Sequence, residues 1–194
     1  MRLNKFTIGL ICIVTGAIGV YALIANNIYP VAFVKGEMIS ASNFKAHYSA
    51  AYRYYDTVLK KYPEQAKNFK SAAEIKPEIR RGTLDVMIEN IIITHALKEK
   101  VKEGLASMVA SRIADNRLET DEIKNAIRAL YGINVENFKQ MVLEPQAERE
   151  ILQQKLNEGE KKDLTTWLTE EKKKTPVVVL IPGLAWNGSS IIVK

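Results

Sequence analysis

The stretch PEIRRGTLDVMIENIIITHALKEKVK, residues 77–102, decides how this chain folds. At about 3.6 residues per turn, Leu84, Met87, Ile88, Ile91 and Ile92 share one side of a helix. Val86, Ile93, Leu97 and Val101 fall on roughly the opposite side. A helix apolar on two faces is packed by neighbours on several flanks or lies in a membrane. Glu78, Arg80, Arg81, Asp85, Glu89 and Lys98 exclude the membrane. The stretch therefore predicts the central helix of a helical domain. Pro77 stands in its first turn, where a missing N–H costs nothing.

The segments before it supply a strand and a second helix. Val31–Val34 reads as a short strand, Lys35-Gly36-Glu37 as a turn, and Ser40 or Ser42 as the cap of the next helix. In that helix Phe44, Tyr48, Ala51, Tyr52, Tyr55, Val58, Leu59 and Tyr62 form one stripe, which Pro63 ends. A tyrosine stripe reads first as a core-facing surface with wet hydroxyl tips. As a polypeptide-binding surface it would act through Tyr48, Tyr52, Tyr54 and Tyr55. The connection from Glu64 to Lys76 is polar, with a short helical turn expected near Ala66–Ser71.

Beyond the central helix, Gly104 marks a break, and Leu105, Met108, Val109 and Ile113 continue a helical face. Thr120 caps a further helix with Asp121 and Glu122 in its first turn and Gly132 as its stop. Asn134 caps the next, with Ile133 placed to pack on Phe138. Pro145 should kink that helix before Leu152 and Leu156. Residues 157–162 read as a polar linker, and Asp163 caps a short helix bearing Leu164, Trp167 and Leu168. Lys172–Lys174 suit the C-terminus of that helix. Val177–Ile181 reads as a buried strand, and Asn187-Gly188 signals a hairpin. The opening and closing strands are expected to share a small sheet, extended by that hairpin and sealed on one side by Trp167.

The chain of 194 residues carries a net charge of +6. Arg2 and Lys5 are the only charges in residues 1–30, leaving 26 bases against 22 acids in the remainder. Those charges interleave, without the basic block that marks a nucleic-acid site, so no nucleic-acid partner is expected. Phe6–Ala25 is a run of 20 residues without a charge, long enough for a bilayer-spanning helix. Arg2 and Lys5 before it place residues 1–5 as a cytoplasmic stub and the domain outside. A cleaved signal peptide ending near Ala22 or Ala25 is the alternative, although its apolar core would be unusually long. Ile11 before Cys12 argues against a lipoprotein site.

Cys12 is the sole cysteine, so the domain holds neither a disulfide nor a cysteine nucleophile. His47 and His95 are the only histidines; His95 reads as a hydrogen-bonded core residue and His47 as partly exposed. With no ligand-spaced His/Asp/Glu cluster, no metal is expected. Neither a phosphate loop nor a Gly-x-Ser-x-Gly elbow is present, and no cofactor is expected. Glu89 and Asn90 read as polar residues at a helix–helix seam.

In order, the chain holds VAFVKGEMIS (31–40), LDVMIENIIITHALKEKV (84–101), ETDEIKNAIRALYGINVENFKQMV (119–142) and EPQAEREILQQKL (144–156). This series resembles the N-terminal chaperone domain of the SurA/PrsA/PpiD family of bacterial extracytoplasmic folding factors. The likeness covers about residues 31–156. It implies a mainly α fold: an N-terminal transmembrane helix, a multi-helix chaperone domain over 26–156, and a C-terminal segment, 157–194, packing back on it. Lys35 stands where the family has asparagine, and the link over Glu103–Glu119 is longer than usual. Isomerases of the family carry a parvulin domain of roughly a hundred residues, for which residues 157–176 leave no room. The resemblance implies a membrane-tethered protein that binds unfolded or nascent secreted polypeptides without catalysis of its own. The alternatives are a family member with residual or partner-dependent prolyl isomerase activity, and a membrane-tethered scaffold for one folded partner.

Overall fold

The chain enters the fold as a hairpin. Pro30–Val34 (β1) pairs antiparallel with Glu37–Ser40 (β2), with Phe33 opposite Met38. Lys35 (φ 50°) and Gly36 (φ 85°) both take left-handed backbone in the turn. Gly36 adopts that conformation without strain. In this computed structural model the described residues are 27–62, 71, 73–101, 103–114, 118 and 120–194. Among them no helix is long and apolar enough to cross a membrane. The expected stub 1–5 and span Phe6–Ala25 lie outside the described residues, as does most of the expected turn at Ala66–Ser71.

Ser40 accepts the Asn43 N–H and caps helix α1, Ala41–Lys61. Helix α2, Lys76–Lys100, has Pro77 in its first turn and is the centre of the molecule. Leu84, Met87, Ile88, Ile92, Ile93, Ala96 and Leu97 are all buried. Its neighbours lie on several flanks, as a two-faced apolar helix requires: α1, the strand β1, and three C-terminal elements named below. Val86, expected within the second apolar face, is instead 49% exposed at the lip of a groove. That face is narrower than the periodicity suggested.

Helix α3, Leu105–Ala114, follows the left-handed Gly104 and has no fully buried residue. Helix α4, Asp121–Tyr131, is capped by Thr120 and stopped by Gly132 at φ 73°. A short helix, α5 (Val135–Phe138), is capped by Asn134 and runs into a single π turn at Lys139–Leu143. There the Glu144 N–H reaches back five residues to the Lys139 carbonyl. Helix α6, Glu144–Gly159, follows directly. Pro145, expected to kink the helix without ending it, lies in the first turn of this helix, directly after the π turn. Helix α6 also runs through Asn157, Glu158 and Gly159, so the linker reduces to Glu160–Lys162. A glycine in the last turn costs little helix.

Asp163 accepts the Thr166 N–H and caps α7, Leu164–Lys174. Val177–Val179 (β3) then pairs antiparallel with β1, giving a three-stranded sheet in the order β2-β1-β3. The ends of the domain therefore share one sheet, as expected. Two details differ. The strand is three residues long, and Val178 and Leu180 point outward, because an edge strand on a helical core buries only alternate side chains. Leu184–Trp186 (β4) and Ile191–Val193 (β5) form a separate two-stranded sheet rather than an extension of the first. Their loop is the four residues Asn187–Ser190, whose geometry rests on Asn187 Oδ1 accepting the Ser189 and Ser190 N–H groups.

One apolar cluster ties these parts together. Val31, Ala32, Val34 and Ile39 from the sheet meet the α2 residues, Ile151, Leu152 and Leu156 of α6, and Trp167 and Leu168 of α7. Ile181, Leu184 and Ile191 complete it from the C-terminal end. Trp167 is buried in the same cluster, on the helix that packs against α2 and α6.

Candidate functional site

The predicted tyrosine surface divides in two. Tyr48 and Tyr52 continue from Phe44 as a ladder of rings, with centroids 6.4 and 6.2 Å apart in turn. The Lys76 ammonium lies 5.2 Å from the Tyr52 ring centroid, a cation–π distance. Tyr54 and Tyr55 turn instead into a groove of about 490 Å³, shared with His47, Val86, Tyr131 and Met141. Tyr54 stacks on Tyr131 (5.0 Å, 12° between planes), and Tyr131 meets Phe138 at 5.1 Å. Desolvation, and then the neighbouring Tyr54, raise the Tyr131 phenol above its ordinary pKa. Burial lowers the His47 imidazole below its usual value. His47 is half-buried at the edge of the groove, the partly exposed position expected.

His95 departs in the other direction. Its Nε2 lies 3.1 Å from Glu37 Oε2, with the imidazole side chain 30% exposed. It is hydrogen-bonded as expected, but at the edge of the sheet rather than in the core. The partner is a strand residue that the helical periodicity of α2 cannot reveal.

A larger site lies where the sequence offered no named candidate. Between the C-terminal half of α2, helix α3 and the start of α6 there is an open trough of about 940 Å³. Val101, Leu105, Val109, Ile113 and Leu118 give it an apolar floor, with Ala106 and Ala110 on the wall. Thr94, Lys98, Lys139, Glu144 and Glu148 form its polar end. The Leu105/Met108/Val109/Ile113 spacing marked this face of α3 as apolar. All four are half-buried, with Leu105, Met108 and Val109 packed against the core and α3 lying on α6, and the trough opens beside them.

At the polar end, the Thr94 hydroxyl donates to the Asn90 carbonyl (2.9 Å) and also meets Glu148 Oε2. With a single proton, the hydroxyl is shared between the Asn90 carbonyl and the Glu148 carboxyl as acceptors. Burial raises the Glu148 carboxyl above its ordinary pKa, the Thr94 contact opposing in part. The trough therefore holds a carboxyl that is neutral over a wider range than a surface glutamate.

The third polar constellation is internal. Glu89 Oε1 takes Lys172 Nζ at 2.5 Å, and its Oε2 takes Arg149 at 2.8 Å. Arg149 also donates to Asn90 Oδ1 at 3.1 Å, so Glu89 and Asn90 stand at a helix–helix seam as expected. Burial pushes the Glu89 carboxyl up, but the two cations outweigh it and the net shift is downward. Asp85 lies 3.9 Å from Lys172, and desolvation raises its carboxyl, with Lys172 opposing. Lys172, expected to serve only the helix C-terminus, is instead buried at 9% exposure. These two acids and two bases lock α2, α6 and α7 together. Among the described residues no group of three His, Cys, Asp or Glu is placed to hold a metal ion.

No family model matches the chain, and neither curated proteins nor solved structures give a match.

Proposed function

We propose that the chain is a membrane-tethered, SurA-like polypeptide-binding protein that holds unfolded or nascent secreted chains outside the cytoplasm. The observation that carries this reading is the open trough between α2, α3 and α6. Its apolar floor and about 940 Å³ suit a few aliphatic or aromatic side chains of an extended client. Its mixed-charge end suits a backbone that must stay partly solvated. Hydrophobic walls with few directional polar groups bind with limited sequence preference, which is what a holdase needs. The ordered sequence resemblance over about residues 31–156 supports the same reading, and the charge-free run Phe6–Ala25 supports the tether.

The test uses the full chain in nanodiscs and a chemically denatured model client. Wild-type protein should suppress client aggregation at near-stoichiometric ratios. Ala106→Asp with Ala110→Asp, both at exposed positions on the trough wall, should abolish suppression while leaving the circular dichroism unchanged. Loss from Tyr54→Ser instead would move the site to the tyrosine groove. Absence of suppression by the wild-type chain would overturn the reading. Protease added to spheroplasts should digest the domain; protection would overturn the topology.

A further inference from the structure

The three-stranded sheet has an inner face in the core and an outer face on which Met38, Val178 and Leu180 are exposed and Phe33 is half-buried. On the inner face Ala32, Val34 and Ile39 are at most 1% exposed. The outer face carries one apolar row across all three strands: Met38 opposite Phe33, and Phe33 opposite Val178. Met38 is 45% exposed and Val178 55%. Leu180, two residues along the same edge and bonded through its N–H to the Val31 carbonyl, is 48% exposed. A sheet with one face on the core ordinarily presents polar residues on the other. Here that other face is apolar at each of these positions.

The approach to this sheet is apolar as well. Ile28 and Tyr29, immediately before β1, are 46% and 43% exposed. From Ala25, the last residue of the proposed span Phe6–Ala25, to Pro30, the first of β1, is five residues. Fully extended, they span at most about 17 Å. A domain of this size has a radius of gyration of about 15 Å, so that leash is shorter than the domain is wide. Given the tether, the face nearest β1 has to lie close to the bilayer.

We infer that the outer face of the β2-β1-β3 sheet docks on the lipid bilayer, with Met38, Phe33, Val178 and Leu180 entering the boundary between headgroups and acyl chains. This inference rests on the tether reading in the proposed function. Interfacial apolar surfaces of this kind sink about 5–10 Å into that boundary. Tyr29 suits the headgroup level, where an aromatic ring with a polar tip is favoured. Exposed Lys173 and Lys174 close α7 three residues before the strand. Docking this way fixes the orientation of the domain on the membrane instead of leaving it swinging on its leash.

The experiment uses the full chain in nanodiscs, with Cys12→Ala and single cysteines at Val178→Cys, Met38→Cys or, as a control in the trough, Ala110→Cys. Each carries an environment-sensitive fluorophore, and doxyl-labelled lipid is the quencher. Labels at 178 and 38 should be quenched severalfold more than the label at 110. Val178→Asp with Leu180→Asp should bring the label at 38 down to the control level without changing the circular dichroism. Equal quenching at all three sites, with the chain still held in the nanodisc, would overturn the docking and leave the tether standing. A label at 178 shielded from aqueous iodide but not quenched by lipid would assign the face to a protein surface, which also overturns it. A chain that fails to stay with the nanodisc would overturn tether and docking together.

Discussion

Deleting residues 177–194 removes β3, β4 and β5 and tests whether the chain's end belongs to its core. Three large side chains of that segment are buried at 6, 7 and 0% exposure: Ile181, Leu184 and Ile191. Each fully buried aliphatic side chain contributes about 1.5–3 kcal/mol, so their loss alone costs about 5–9 kcal/mol. The deletion also strips β1 of one of its two partner strands and uncovers the α2 face beneath Ile191. A domain of this size holds about 5–15 kcal/mol in total, so the truncated chain should be largely unfolded at 25 °C. The assay is urea unfolding, followed by circular dichroism, of residues 27–194 against residues 27–176. A milder companion, Ile191→Ala, should cost about 2–5 kcal/mol and lower the midpoint with the slope unchanged. Equal midpoints and equal slopes for the long and truncated chains would refute the reasoning. The C-terminal strands would then be an appendage rather than part of the core.

Three further outcomes follow from the polar and backbone geometry. Lys172→Ala leaves Glu89 and Asp85 together with one cation, and should cost about 3 kcal/mol by urea unfolding, the lower end for a broken buried pair because both carboxylates keep some solvent contact. Adding Glu89→Gln to it should recover part of that loss, and a double-mutant cycle reads the coupling. Glu148→Gln should raise the urea midpoint near pH 7, since the folded-state pKa lies above the ordinary 4.5 and ionisation therefore costs stability as pH rises through that window. Below pH 4.5 both states are protonated and the two proteins should converge; a difference that persists there would exclude titration of Glu148 as the cause. Gly132→Ala places a Cβ 2.6 Å from Arg53 Cδ at φ 73°; the exposed arginine can shift, so the cost should be the left-handed strain of about 1–2 kcal/mol, read by thermal unfolding.

The sequence alone determined the local structure, because its signals act over a few residues. Ser40, Thr120, Asn134 and Asp163 cap helices because a side-chain oxygen can reach an N–H three residues on, whatever surrounds it. Gly132 stops α4 for the same kind of reason, and the two apolar faces of residues 77–102 announced a helix with neighbours on several flanks. The pairing of Val31–Val34 with the strand at Val177–Val179 was legible too, since short apolar strands need partners for their backbone groups. Tertiary structure decided whatever depends on residues far apart in the chain. Lys172 is buried because Glu89 and Asp85, more than eighty residues earlier, offer it charge inside the fold. His95 leaves the core because Glu37 of a strand stands beside it. Tyr48, Tyr52 and Tyr55 share one stripe of α1, yet of these only Tyr55 meets the groove, where Tyr54 from off the stripe joins it opposite Tyr131 and Met141. The trough is the clearest case. Periodicity marks a face of α3 as apolar, but whether that face is covered depends on how far α2 and α6 stand from it, and that spacing is set by the packing of the whole core.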